Sequence, residues 1–306
     1  MGWCEKRSGT CVFTAIVRSA TGRTARRSMA GWGRGTSTRS DVSTSNGIAA
    51  VALDIDGTLA RDDHQVSPYA IGVLKDLEAA GIRPIVVTGR LETSALATAD
   101  AAGLSAPVVS GGGAIVTDPA TREHLVHAAM DPALIARLIE VADRFDLQPV
   151  LHTAAHILTD RASRHTDLIE RLNQWTPEVL PDRAWPGDVV KVMLVGEQPD
   201  VDAMQAEAAA EFPRLKRSST EFLEANAPGF TKWESLRFTL ERIGVAPDAT
   251  IGAGDGETDV EWLSNVGQVI APANSEPSVL AIAHHRVGHH RDDAVARFLD
   301  EHLLGG

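Results

Sequence analysis

From Gly47 onward, unbroken apolar runs alternate with stretches whose apolar residues recur at helical spacing. "GIAAVALDI" (47–55) is a continuous apolar run opened by a glycine, the pattern of a strand buried on both faces of a parallel sheet. "SPYAIGVLKDLEAAG" (67–81) reads as a helix, with Ser67 as N-cap, Pro68 in the first position and Gly81 as its stop. Ile71, Leu74 and Leu77 fall on one face of it. "IRPIVVT" (82–88) predicts a second buried strand, and "RLETSALATADAAG" (90–103) a second helix closed by Gly103. "APVVSGGGAIVTD" (106–118) predicts a strand, a glycine-rich turn and a further strand. This βαβαβ order is the opening of a doubly wound α/β sheet.

The rhythm then changes. Asp131-Pro132 starts a helix running to Phe145, but "QPVLHTAAHILTD" (148–160) reads as a hairpin. A helix near 163–174, the strand "VVKVMLV", a helix near 199–211 and a strand pair near 214–226 follow. Helices mixed with hairpins predict a separate α+β unit. From Thr231 the alternation returns: a helix over 231–243, the strand "ATIGAG", a helix over 257–264, the strand "QVIA", and two helices around a short strand. The expected architecture is a Rossmann-like core over 47–124 and 221–306, interrupted by an α+β cap domain over 125–220.

Charge sets residues 1–46 apart. Eight basic side chains against Glu5 and Asp41 give them +6, which leaves −18 for residues 47–306 in a chain of −12 overall. They read as a disordered basic extension upstream of a candidate start at Met29, and their Arg/Ser-rich, acid-poor composition also suits organellar targeting. The run "CVFTAIV" is too short for a secretory signal. The acidic body argues against nucleic acid or an anionic membrane as partner. Cys4 and Cys11 both lie in the extension, so the body has neither a disulfide framework nor a thiolate nucleophile. No run approaches ~18 apolar residues, the length of a membrane span. The body is expected to be cytoplasmic.

Ligands of open α/β sheets bind beyond the carboxyl ends of the strands. Four polar clusters fall at such places: "DIDGT" (54–58), "TGR" (88–90), "TK" (231–232) and "GDGETD" (254–259). Singly, each reads as a turn, a loop or a solvated lysine; together, in this order, they read as a site. Asp54 and Asp56 share one side of a strand end, and Asp255 faces them from another strand. Carboxylate oxygens of this kind suit Mg²⁺, completed by water and a phosphate oxygen. Thr88 offers a hydroxyl, and Gly89 lets its backbone amide approach an anion. Thr231 and Glu234 form a capping-box pair that sets Lys232 in the first helical turn. An ammonium there is unfavourable unless an anion is shared with the helix end, and Lys232 is one of only five lysines.

In this order "DIDGTL", "TGR", "GFTK" and "GDGETD" resemble the four motifs of the haloacid dehalogenase superfamily. The insertion between the second and third resembles its Cof-like branch with a class IIB cap, as do "FLEANAPGFTKWESL" (222–236) and "VIAPANSEPSVLAIA" (269–283). The resemblance implies a Mg²⁺-dependent phosphatase acting on a small phosphorylated metabolite. It implies Asp54 as the nucleophile that becomes an aspartyl-phosphate and Asp56 as general acid/base. Asp54, the backbone carbonyl of Asp56 and Asp255 would hold the metal, with Asp259 steadying the site. Thr88, Gly89 and Lys232 would bind the transferring phosphate. Two positions depart from the pattern: Thr258 stands where the family usually has Asn, and "GGGA" (111–114) where relatives have "NGA", which removes a polar group near the cap entrance.

Three other readings compete with the hydrolase. A sugar phosphotransferase or mutase would share the aspartyl-phosphate; a non-catalytic receiver-like module would leave Asp56 and the insertion without a task. A nucleotide-sugar transferase using a DxD metal motif leaves Lys232 and "GDGETD" unexplained. The pairs His284-His285 and His289-His290 read as solvated residues flanking a short strand. His152, His156 and Lys191 in the cap are readable either as substrate contacts or as ordinary strand residues. Trp175, Trp185 and Trp233 read as packing residues.

Overall fold

The computed structural model describes residues 47–305 apart from 174, 214 and 228. The expected basic extension, with both cysteines and Met29, lies outside the described residues. Five strands build a parallel sheet: β1 (Ala50–Leu53) and β2 (Arg83–Val86) come early in the chain, and three more come near its end. Between β1 and β2 runs α1 (Pro68–Ala79). Ser67 Oγ caps it by accepting from the Ala70 amide at 3.0 Å. The helix buries Ala70, Val73, Leu74 and Leu77, while Ile71 is only half-buried. After β2, α2 (Glu92–Ala102) ends at Gly103 in the left-handed conformation, φ +65°, which a glycine adopts without strain. A three-stranded antiparallel sheet follows: β3 (Val108–Ser110), β4 (Ile115–Thr117) and β5 (His124–His127). Val87 bridges Val109 in parallel and joins this sheet to the first.

The chain then builds a six-stranded sheet. Helix α3 (Pro132–Asp143) leads into β6 (Gln148–His152) and β7 (Ile157–Thr159), then α4 (Arg164–Asn173), β8 (Glu178–Val179) and β9 (Lys191–Val195). Helix α5 (Gln198–Ala208), β10 (Lys216–Ser219) and β11 (Phe222–Asn226) complete it, in the order β10-β11-β9-β6-β7-β8. One face, with Leu151, Val192, Leu194 and Leu223, packs under α3 and α5. The other face, with Val150, Met193, Val195 and Phe222, packs against Ile169 of α4 and against Leu91, the residue after the "TGR" segment. The inserted cap therefore rests directly on one loop of the core.

The return to the core brings α6 (Lys232–Ile243), β12 (Thr250–Ala253), α7 (Val260–Leu263), β13 (Gln268–Ala271), α8 (Pro277–Ile282), β14 (His285–Arg286) and α9 (Ala294–Leu299). The parallel order is β14-β13-β12-β1-β2. Strand alternation in β1 assigns Val51 and Leu53 to the layer with α1, α2 and α9, and Ala50 and Ala52 to the layer with α6, α7 and α8. On that second side the strands stay small to admit Trp262, which is fully buried; a Cβ on Gly252 would lie 2.8 Å from its ring. This is the doubly wound core with an inserted α+β cap that the alternation predicts. Trp185 and Trp233 pack as expected, whereas Trp175 is 39% exposed. Among the described residues no helix is long and apolar enough to cross a membrane.

Candidate active site

The β1 and β12 strands run side by side, Leu53 beside Ala253, so the segments leaving them emerge together. Asp54 still belongs to the ladder, its amide donating to the Ala253 carbonyl at 2.9 Å. The chain then turns sharply, with the amides of Leu59 and Ala60 both donating to the Ile55 carbonyl. Gly57 sits in that turn at φ +70°, and a Cβ there would run into the Asp255 carboxylate. Thr58 Oγ1 donates to Asp255 Oδ1 at 2.9 Å, and Asn274 Nδ2 donates to the Gly57 carbonyl at 2.7 Å. The two motif segments are thus locked to each other.

Lys232 reaches into this place from the first turn of α6. The capping box is present: Thr231 Oγ1 accepts from the Glu234 amide, and Glu234 Oε2 from the Thr231 amide at 2.8 Å. Lys232 is 8% exposed, and its Nζ donates to Asp54 Oδ1 at 2.8 Å and to Asp259 Oδ1 at 2.7 Å. Asp259 accepts twice more, from Trp262 Nε1 at the same oxygen at 2.8 Å and from the Gly256 amide at the other at 3.1 Å. Carboxylate oxygens of Asp54, Asp255 and Asp259 lie within 4.8 Å of one another.

Such crowding shows in their acidity. Burial pushes the Asp54 carboxyl well above its ordinary value; Lys232 opposes the shift, and Asp259 and Asp255 add to it. Burial and Asp259 likewise push Asp255 up to about 6. Burial alone would lower Lys232, yet Asp259 and Asp54 raise it above the usual lysine range, so it stays charged. One ammonium does not neutralise three neighbouring acids. The oxygens of Asp54 and Asp255, at a place rich in negative charge, fit a hard divalent cation. Asp259, spent on Lys232, Trp262 and Gly256, fits a holding role.

Asp56 stands apart from that cluster. Arg90 grips it with Nε on Oδ2 at 2.8 Å and Nη2 on Oδ1 at 2.6 Å, and His64 Nδ1 lies 3.5 Å away. Against the upward push of burial, the Arg90 and His64 hydrogen bonds hold Asp56 down at about 2. Thr88, at the end of β2, is 1% exposed and accepts from the Arg90 amide at 3.1 Å. Lys191 Nζ, arriving from the cap, lies 3.9 Å from the point a Cβ on Gly89 would take. Arg90, Leu91, His64 and Trp175 line an adjoining cavity of about 350 Å³.

Asp54, Lys232, Asp255 and Asp259 are therefore brought together, with Thr88 and Gly89 on the next strand end and Asp56 turned toward Arg90. Sequence reasoning missed Arg90, although it is the third letter of "TGR", and also Asn274 and Trp262. Thr258 is exposed. The place of the missing side chain at Gly112 is taken by Asn226, whose Nδ2 lies 2.5 Å from the Cβ position and donates to the Gly112 carbonyl at 3.1 Å. His290 departs from the solvated reading: it is half-buried, with Nδ1 2.7 Å from the Ala60 carbonyl and Nε2 3.3 Å from Asp62.

A profile of haloacid dehalogenase-like hydrolases matches residues 51–299. The chain is 26% identical over 264 residues to the 5-amino-6-(5-phospho-D-ribitylamino)uracil phosphatase YitU of Bacillus subtilis (strain 168), covering 83% of this chain and 97% of that one. It is 27% identical over 269 residues to the HMP-PP phosphatase of Escherichia coli O1:K1 / APEC, covering 82% and 94%. Its fold matches a haloacid dehalogenase-like hydrolase from Bacteroides thetaiotaomicron with TM-score 0.74, at 22% identity over 83% of this chain and 99% of that chain. A subclass IIB sugar phosphatase matches with TM-score 0.71, at 17% identity over 82% and 98%.

Proposed function

The chain belongs to the haloacid dehalogenase-like hydrolase family, and from that membership we propose that it is a Mg²⁺-dependent phosphatase working through an aspartyl-phosphate. As an enzyme it is a phosphoric monoester hydrolase. The relatives' names point to small phosphorylated metabolites, a ribitylamino-uracil phosphate in one and HMP-PP in another. A small phosphate ester is accordingly the proposed substrate. Such charged metabolites do not cross membranes unaided, which suits the cytoplasmic location proposed here.

One observation carries the reading: the buried Lys232 ammonium joins Asp54 to Asp259. It fixes the oxygen nucleophile in place and works against the burial that raises its pKa. Asp54 attacks phosphorus in line; the bond from phosphorus to the leaving oxygen breaks, and that oxygen takes its proton from Asp56. Water then attacks the phosphoryl group, gives its proton to the Asp56 carboxylate and displaces Asp54. Lys232, the Thr88 hydroxyl and the Gly89 amide hold the transferring oxygens. Asp54, Asp255 and the Asp56 carbonyl would hold Mg²⁺, which supplies positive charge against the phosphoryl group. Gripped by Arg90, Asp56 is ionised and set for the base half of the cycle. Its acid half requires that grip to loosen.

The test is trapping of the phosphoenzyme with an activated ester. Asp54→Asn yields no mass increase of one phosphoryl group, while Asp56→Asn accumulates it, because base catalysis worth about 10²–10⁴-fold is gone. Accumulation in Asp54→Asn instead reverses the assignment. Release of free phosphate without an added acceptor separates hydrolysis from phosphoryl transfer to a sugar.

A further inference from the structure

A second cluster of metal-ligating side chains lies outside the Asp54 site, where the segment after β1 meets the segment after β14. The first segment is a small hairpin. Ala60 bridges Val66, the Arg61 amide donates to the Gln65 carbonyl at 3.0 Å, and Asp62 stands exposed in the turn. The second carries His289 and His290, both half-buried, with ring centroids 4.6 Å apart. Two clamps bracket the meeting point. Arg61 grips Asp293 with Nε and Nη2, and His290 Nδ1 lies 2.7 Å from the Ala60 carbonyl. Behind them, the His290 amide donates to Asn274 Oδ1 at 3.2 Å. Donor atoms of Asp62, His289 and His290 lie within 4.8 Å of one another.

We infer that these three residues form a second metal site, selective for Zn²⁺ over Mg²⁺, which ties the hairpin to the segment after β14. It stands apart from the phosphatase reading. The His290 tautomer points to it first. A carbonyl only accepts, so Nδ1 is the donor to Ala60, and Nε2 of the neutral ring offers a lone pair. That lone pair faces Asp62 Oδ1 at 3.3 Å, acceptor against acceptor. A cation between them satisfies both. Ligand bonds of about 2.0–2.2 Å in a tetrahedron put neighbouring donors roughly 3.4 Å apart, so this pair already has the spacing of one edge. A ligating histidine ordinarily donates its other N–H to a carbonyl or carboxylate, as His290 does to Ala60.

His289 then chooses between a metal and a proton. A proton on Nε2 would also reconcile His290 with Asp62, but it would leave the second imidazole without a task. Arg291 spans that imidazole, with Nε 3.1 Å from Nδ1 and Nη2 2.9 Å from Nε2. A guanidinium only donates, and a neutral imidazole carries hydrogen on one nitrogen, so one of these contacts sets donor against donor. The Arg291 side chain is 54% exposed, and its 3.7 Å pairing with Asp62 is of the solvated kind that contributes little. Turned into water, it uncovers a lone pair of His289 for the ion. Two imidazoles and one carboxylate suit Zn²⁺, whereas Mg²⁺ prefers the all-oxygen set of Asp54 and Asp255. The two sites sort ions by donor type.

The test is Zn²⁺ binding to the untagged full chain, read by titration calorimetry. Excess Mg²⁺ holds the Asp54 site, and Cys4→Ser with Cys11→Ser removes the thiolates of the extension. One equivalent should bind. His289→Ala and His290→Ala should each weaken it by at least about tenfold, the loss that even outer partners of a metal cause. Asp62→Ala should do the same, and because Asp62 is exposed this variant leaves the packing alone. Absence of Zn²⁺ binding under excess Mg²⁺ overturns the inference and leaves Asp62 and His290 as a plain ion pair. Unchanged affinity in Asp62→Ala and His289→Ala also overturns it, because the ion then sits elsewhere. Ester hydrolysis is not read, so failure of the phosphatase reading is a separate result.

Discussion

Arg90 holds Asp56 by both ends of its guanidinium, at 2.8 Å and 2.6 Å, although the two residues leave different strands. The fork matches a carboxylate in a way that a lysine does not. It keeps the proposed acid/base ionised. Arg90→Ala should release Asp56 from about 2 toward the ordinary ~3.9. Because the native value is depressed, the grip contributes stability above the unfolded pKa and loses it as pH falls toward about 2. A carboxyl-carbon NMR titration reads the shift directly. An Asp56 value unmoved by the substitution would refute the assignment.

Lys232→Met should remove the only ammonium that touches Asp54 among the described residues. Removing one partner from a buried charge cluster costs about 3–5 kcal/mol. Burial already raises Asp54, and loss of Lys232 raises it further. A raised carboxyl destabilises the fold progressively as pH climbs from its unfolded toward its folded value. Metal-free urea unfolding should therefore show a larger loss at pH 7.5 than at pH 5; an equal loss at both contradicts this account.

Asp255, pushed up to about 6, makes metal binding compete with protons, since a carboxylate must be ionised to ligate. Without metal, its raised value removes stability as pH rises from ~4. Added Mg²⁺ should reverse that trend and raise Tm more at pH 7.5 than at pH 5. At 100 times Kd the gain is about 2.7 kcal/mol. Melting curves at the two pH values decide it, and an equal Mg²⁺ shift would count against Asp255 as a ligand.

Gly57→Ala should act on the site through geometry alone. The new methyl would run into the Asp255 carboxylate, at a backbone φ of +70° that side chains rarely adopt. Displacing Asp255 should abolish the Mg²⁺-dependent rise in Tm. It should also lower kcat/KM by about 10²-fold, the scale on which a misplacement of 1 Å is felt. Gly72→Ala, where nothing lies within 4 Å of the added carbon, is the control. Retention of the Mg²⁺ response in Gly57→Ala would show that the close approach is unimportant.

What could be read from the sequence is what local chemistry dictates. Ser67-Pro68 starts a helix, Gly103 ends one, and Thr231 with Glu234 builds a capping box, because each involves backbone groups within a few residues. Continuous apolar runs announced β1, β2 and β12, and with them the strand ends that carry Asp54, Thr88 and Asp255. β5 and the two-residue β8 escaped notice: His124–His127 is neither continuously apolar nor cleanly alternating, and only pairing with β4 makes it a strand. Tertiary structure alone decided the partners of the charges. Arg90 meets Asp56 across 34 residues and Lys232 meets Asp54 across 178. Lys191 lies near Gly89, and Leu91 packs into the same face of the cap sheet. Periodicity states which face of an element is buried. Which side chain it meets there depends on how the layers stack, and that is settled by the summed packing of the whole core.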